Sequence, residues 1–248
     1  MDGNTDCGKA EGSRQKAVLP YCLLASDFCL LPPMHLSTDA YTATQIAAID
    51  RYVSEELGVN TKQLMEIAGM RSAEIALKMF GEGTHITLLA GPGGNGGDAL
   101  VCAKWLKLWG CRAVVVLSHP REKLKPVTAD QLSMWESFGG EVTTHLPEHT
   151  DGIVDGLLGY SLAGDPRGRI AELIDFANGT RKPILALDIP SGLDATMGYA
   201  RTPCIVALKT AVFGVLKQGL LSENASNYTG EIHLIDIGFP REFPEHLL

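Results

Sequence analysis

Asn95, Asp98, Asp155, Asp188 and Ser191 are the residues through which this chain of 248 residues could do chemistry. Each sits in or beside a glycine-bearing turn. The first turn, Gly91-Pro92-Gly93-Gly94-Asn95-Gly96-Gly97-Asp98, opens with five glycines in seven residues. Glycine lets a backbone approach a ligand closely and reach positive φ. A tight turn would use the glycines alone, but the Asn95 amide and the Asp98 carboxylate add polar groups that turning does not need. The second turn begins at Asp155 and runs between glycines to Gly164 and Asp165. The third is Asp188-Ile189-Pro190-Ser191-Gly192, stiffened by its proline. Asp188 beside the Ser191 hydroxyl suits acid–base work or a cation, while capping a turn is the plainer use of Asp155. Asn95, Asp155 and Ser191 offer a cation only oxygen donors, a set for a hard ion rather than for zinc or copper.

The elements that must position these groups alternate along the chain. Strands are predicted at 85–90, 112–117, 141–144, 151–155, 184–188, 205–213 and 231–236, with helices at 97–109, 127–138 and 168–178. Two helices come earlier. One follows Thr42 as N-cap, with Ile46, Ile49, Tyr52, Val53 and Leu57 at helical spacing. The other runs from about Thr61 to Phe80. The pattern implies an α/β fold, a three-layer, doubly wound, mostly parallel sheet of Rossmann-like type. In such sheets ligands lie beyond the carboxyl ends of the strands, so the three turns should converge. Strand, glycine loop and helix in succession also present helix N-terminal N–H groups to a phosphate. The loop matches neither Gly-x-Gly-x-x-Gly in register nor a P-loop.

Composition bounds the function classes. A net charge of −8 argues against nucleic-acid backbones and anionic membranes as partners. No apolar run approaches a membrane span. The six cysteines form no Cys-x-x-Cys pair, so neither a zinc site nor a disulfide framework is readable. Residues 1–40 read as a disordered N-terminal tail without function, polar over 1–16 and apolar but broken by Pro20 and Asp27 over 17–31, and 41–248 as one domain. A secretory signal is disfavoured there, because Asp2 and Asp6 stand where a basic segment belongs.

Together the turns resemble the NAD(P)H-hydrate epimerases, the YjeF N-terminal domain family. That family's Gly-x-Gly-Asn-Asn-Gly-Gly-Asp-Gly is matched by Gly91 to Ala99. Its Asp-Ala-Leu/Ile-Phe-Gly-(x)4-Gly is matched by Asp155 to Gly164, and its Asp-Ile-Pro-Ser-Gly without change by Asp188 to Gly192. Leu64 to Gly69 match an upstream Leu-Met-Glu-x-Ala-Gly. Phe213-Gly214, Lys217-x-Gly219-Leu220 and Asp236 to Pro240 match the closing pattern. The resemblance spans roughly residues 42 to 241 in order and spacing.

The resemblance implies a potassium-assisted isomerase that interconverts the R and S forms of hydrated NADH and NADPH in nicotinamide nucleotide repair. A separate ATP- or ADP-dependent dehydratase then restores the S form, expected here on another chain. Carried over residue by residue, Asn95, Asp155 and Ser191 would hold the potassium ion. Gly94, Asn95, Gly96, Gly97 and Asp98 would contact the dinucleotide, as would Gly159, Tyr160, Ser161, Leu162, Ala163, Gly164, Asp165 and Asp188. Asp188 is the expected catalytic acid–base group. A homodimer and a cytoplasmic location are also expected. Two positions depart from the pattern. Gly94 replaces an asparagine, which removes a polar ligand contact, and Ala99 replaces a glycine, which adds a methyl near the close approach. Lys217 is expected as a solvated surface charge, with a phosphate contact as its alternative. The competing readings are a non-catalytic nucleotide- or protein-binding module on the same fold, and an NAD-dependent dehydrogenase, whose glycine spacing is absent.

Overall fold

The structure, a computed structural model, describes residues 39–247. The expected tail therefore lies outside the described residues, apart from its last two. Of these, Ala40 begins β1 (Ala40–Tyr41). There follow α1 (Ala43–Arg51), α2 (Thr61–Phe80), β2 (His85–Ala90), α3 (Gly94–Leu108), β3 (Arg112–Leu117), α4 (Pro126–Ser137) and β4 (Glu141–Thr143). The second half contains β5 (Gly152–Gly156), α5 (Arg169–Gly179), β6 (Ile184–Leu187), β7 (Lys209–Phe213), β8 (Leu216–Lys217), α6 (Ser226–Thr229) and β9 (Glu231–Ile235).

Local chemistry explains the helix starts. Thr42 accepts from the Gln45 N–H while Gln45 accepts from the Thr42 N–H, a capping box. Asn60 and Gln63 repeat it at α2. The helix expected to reach Leu57 leaves α-geometry after Arg51, where Tyr52–Glu56 forms a wider turn closed by Leu57 N–H to Tyr52 O at 3.0 Å.

Seven strands make one wholly parallel sheet, in the order β4-β3-β2-β5-β6-β7-β9. Successive side chains take opposite faces. Leu88, Val115 and Leu185 pack with α2, α3 and α4 on one side. Leu89, Val116, Ile153 and Ala186 pack with α5 on the other. These are the three expected layers. The order reverses between β2 and β5, which makes their carboxyl ends a topological switch point. A smaller parallel pair, β1 with β8, sets Tyr41 opposite Lys217.

One expected strand is shortened. Residues 205–208 keep an in-out alternation, with Ile205 and Ala207 buried under α5 and Val206 and Leu208 exposed. Their N–H groups go to Ser191 O, Asn178 Oδ1, Tyr228 O and Ile184 O rather than to a ladder. The alternation reflects burial, not strand pairing.

Candidate functional site

The carboxyl ends of β2, β5, β6 and β7 open into a cleft of about 590 Å³, walled also by α1 and α2. Of the residues expected to contact a ligand, Gly94, Asn95, Asp98, Gly159, Tyr160, Ser161 and Asp188 line it. Gly96 and Gly97 lie buried beneath. Leu162, Ala163, Gly164 and Asp165 fall outside the cleft wall, and Asp165 accepts instead from Thr202 N–H at 3.4 Å.

The glycine loop serves close packing, not positive φ. None of its five glycines has positive φ. A Cβ on Gly91 would sit 1.7 Å from Leu157 O, and one on Gly96 would sit 1.9 Å from Gly91 O. Loops after β2 and β5 can touch only without side chains there. Gly94 differs, since its Cβ would meet only Met65 Cε at 3.6 Å. The Ala99 methyl faces the core against Gly156, not a ligand, so the expected intrusion at the close approach does not occur.

Behind the cleft lies a knot of oxygen-bearing groups. Asp155 is fully buried and accepts from Ser191 Oγ at 2.7 Å, Ser191 N–H at 2.8 Å and Leu157 N–H at 3.2 Å. Burial still pushes its carboxyl up, to about 6. Asn95 donates to Leu158 O at 2.9 Å and Leu187 O at 3.0 Å, and Ser191 Oγ reaches the same Leu158 O at 3.3 Å. Asn95 and Ser191 thus meet at one carbonyl, and Asp155 joins them through its bonds to Ser191. Asn95 Oδ1 is buried without a partner among the described residues. A buried, unsatisfied oxygen beside an acidic, oxygen-only set fits a hard cation. The expected pairing of Ser191 with Asp188 does not form, because the serine hydroxyl bonds Asp155 instead.

Asp188 lies one residue past β6, not within it, and has φ 66°. Left-handed backbone at a non-glycine residue is strained and uncommon. It accepts from Phe213 N–H at 3.3 Å and pairs with Lys217. Lys217, expected on the surface, is only 1% exposed. Its ammonium also donates to Phe213 O at 2.9 Å and Val215 O at 3.1 Å. The short β1–β8 pair brings it there, and its spacing from Phe213-Gly214 was the only sequence signal. Asp50, on α1, was also missed. It accepts from the Tyr160 hydroxyl at 2.6 Å, and burial raises its carboxyl above the ordinary value. Asp98 is half-buried and its carboxyl makes no hydrogen bond to a described residue. Burial, then the charges of Asp188 and Asp50, hold its carboxyl well above the usual carboxylate range.

Residues 61–219 match the family model described as YjeF-related protein N-terminus. The NAD(P)H-hydrate epimerase of Dehalogenimonas lykanthroporepellens is 40% identical over 205 residues, which cover 80% of this chain and 82% of that protein. The chain belongs to the YjeF-related N-terminus family. The bifunctional NAD(P)H-hydrate repair enzyme of Leishmania braziliensis is 39% identical over 183 residues, 71% of this chain. The match spans about a third of that relative, 32% of its length. The crystal structure of the yeast protein ynu0 shares the fold, with TM-score 0.68 and 24% identity over 84% of this chain and 96% of that one.

Within this YjeF-type fold, a second cluster lies at the amino ends of β2 and β5, away from the cleft. His85, His149 and Asp151 have ligand atoms within 4.8 Å of one another. Arg112, which can only donate, lies 3.1 Å from His85 Nε2. That places the His85 proton on Nδ1, toward Asp151, and leaves no lone pair there for a metal. No described helix is long and apolar enough to cross a membrane.

Proposed function

We propose that this chain interconverts the R and S forms of hydrated NADH and NADPH. Its family relatives named as epimerases support the reaction. The observation that carries it here is the buried Asp188–Lys217 pair, set in a cleft that the α3 N-terminus also enters. The helix end suits the pyrophosphate of a dinucleotide. The reacting carbon bears a hydroxyl next to the ring nitrogen. The C–O bond breaks with its electron pair leaving on oxygen, which takes a proton and departs as water. The ring nitrogen lone pair forms C=N. Water returns to the other face and gives up a proton. Asp188 is the base for that proton, and its negative charge lies where the cationic ring needs a counter-charge.

Asn95, Asp155 and Ser191 would hold a potassium ion, whose charge would bind together the loops after β2, β5 and β6. The S product would be consumed by a nucleotide-dependent dehydratase. A homodimer and a cytoplasmic location belong to the same reading, to be checked by sedimentation and by cell fractionation.

The test is incubation with a mixture of R and S hydrates of NADH and an S-specific dehydratase. Recovery of the whole mixture as NADH is expected, and recovery of the S share alone would overturn the reading. Asp188→Asn should remove most of the activity. Asparagine tolerates positive φ and keeps an acceptor for Lys217, so the fold should persist. Asp155→Ala should abolish any difference in melting between potassium and tetramethylammonium chloride.

A further inference from the structure

Three carboxyl groups share the cleft, Asp50, Asp98 and Asp188, and the nearby donors are divided unequally among them. An ammonium has three N–H donors. Those of Lys217 go to Asp188 Oδ1, Phe213 O and Val215 O, so none remains for a second carboxylate. The single Tyr160 hydroxyl proton goes to Asp50. The Asp98 carboxyl, on the first turns of α3, receives no hydrogen bond from a described residue. An ionised carboxylate to which no described residue donates, half-buried beside two other carboxyl groups, is disfavoured. A neutral carboxylic acid is not, and it has a proton to give.

We infer that Asp98 delivers the proton that the departing hydroxyl takes, while Asp188 receives the proton of the returning water. The inference rests on the proposed epimerisation and divides its proton transfers between two residues. As the carbon–oxygen bond breaks, its electron pair stays on oxygen, the Asp98 proton moves to that oxygen, and water leaves. The ring nitrogen supplies the pair for C=N. Water then adds to the opposite face, its oxygen forming the new C–O bond while the C=N pair returns to nitrogen. Its spare proton goes to Asp188. Asp98 is left ionised and Asp188 protonated, and the proton passes back through water in the cleft. In the reverse direction the roles exchange without further reactants. Burial and the charges of Asp188 and Asp50 hold the Asp98 carboxyl well above the usual range, in keeping with the donor count. Lys217 opposes that shift, and Arg51, Lys123 and Lys125 are the other charged groups lining the cleft.

The experiment measures R-to-S conversion of hydrated NADH by chromatography, with wild type first. A folded but inactive wild type would overturn the proposed reaction itself. With active wild type, Asp98→Asn should lower kcat by about 10²-fold or more, with KM changed less than about threefold. Asp98→Glu should restore part of the rate. The high-pH limb of the wild-type kcat/KM profile should be absent from the residual activity of Asp98→Asn. A second readout does not depend on turnover. In protein carrying ¹³C-aspartate, the carboxyl resonance missing from Asp98→Asn should titrate well above an ordinary aspartate at about 3.9. The inference is overturned if Asp98→Asn keeps kcat within about threefold of wild type, or changes KM alone. Titration of Asp98 in the ordinary aspartate range would overturn it too, and if Asp98→Asn fails to fold, the resonance absent from Asp98→Glu gives the assignment.

Discussion

Lys217→Met tests how the cleft is held together. The Lys217 side chain is 2% exposed and that of its partner Asp188 11%, so neither charge has much water. Methionine fills similar volume and removes only the ammonium. The Asp188 carboxylate then stays buried with one N–H donor, that of Phe213, while Phe213 O and Val215 O lose the ammonium, Phe213 O keeping the Val215 N–H at 2.7 Å. Breaking a buried pair by removing one partner costs about 3–5 kcal/mol, because the surviving charge is left uncompensated. For a domain of this size each kcal/mol lowers Tm by roughly 2–4 °C, so a fall of about 6–20 °C is expected. The assay is urea unfolding followed by circular dichroism, for Lys217→Met, Asp188→Asn and the double variant. The double variant removes both charges and should be at least about 1 kcal/mol more stable than the two single losses added together. A single-variant loss under about 1 kcal/mol, the range of an exposed pair, would refute the reasoning. So would additivity within about 0.5 kcal/mol.

Gly94→Asn should fold normally, since its Cβ meets only Met65 Cε and its φ is not positive. If the added amide reaches the ligand, one neutral hydrogen bond of about 0.5–1.5 kcal/mol should lower KM about 2- to 12-fold, and steady-state kinetics would show otherwise if KM is unchanged or higher. Gly96→Ala should be destabilised by about 1–3 kcal/mol or more, because the new Cβ lies 1.9 Å from Gly91 O, and a wild-type melting temperature would contradict that contact. Asp151 has its carboxyl lowered, first by the His85 backbone N–H, against a smaller opposing effect of burial, and then by the charges of His149, of His85 once acid protonates it, and of Lys182. A depressed folded value means stabilisation that is present above the unfolded value of about 3.9 and lost as pH falls through the folded one. Asp151→Asn should therefore lose less stability than wild type on acidification below about pH 4, and parallel urea midpoints for the two proteins across that range would sink the claim.

Much of the frame was legible in the residues because it rests on local causes. Glycine runs, the Thr42 N-cap, helical spacing and alternation between two buried faces act over a few positions. They place α2, α3, α4, α5 and nearly every strand. The three polar turns converge because parallel strands send all their carboxyl ends to one edge, and a doubly wound order has one switch point. Where local pattern and burial agree without pairing, as at 205–208, alternation misleads. Asn95, Asp155 and Ser191 were recognised as a group by their donor type, and their coming together, Asn95 and Ser191 at Leu158 O and Asp155 on Ser191, follows from adjacent β2, β5 and β6. Partnership within the cleft was not legible. The left-handed turn at Asp188 interrupts the strand alternation, so face cannot be counted from β6 onward. Ser191 went to Asp155 rather than to Asp188, and a lysine that reads as solvated was drawn inside by the β1–β8 pair. Which of three carboxyl groups receives a donor depends on side chains from α1, α3, β6 and β8 that meet only when the chain is folded. Residue types alone determined what chemistry was available; the tertiary contacts decided which carboxyl group is paired with a cation and which is left to keep its proton.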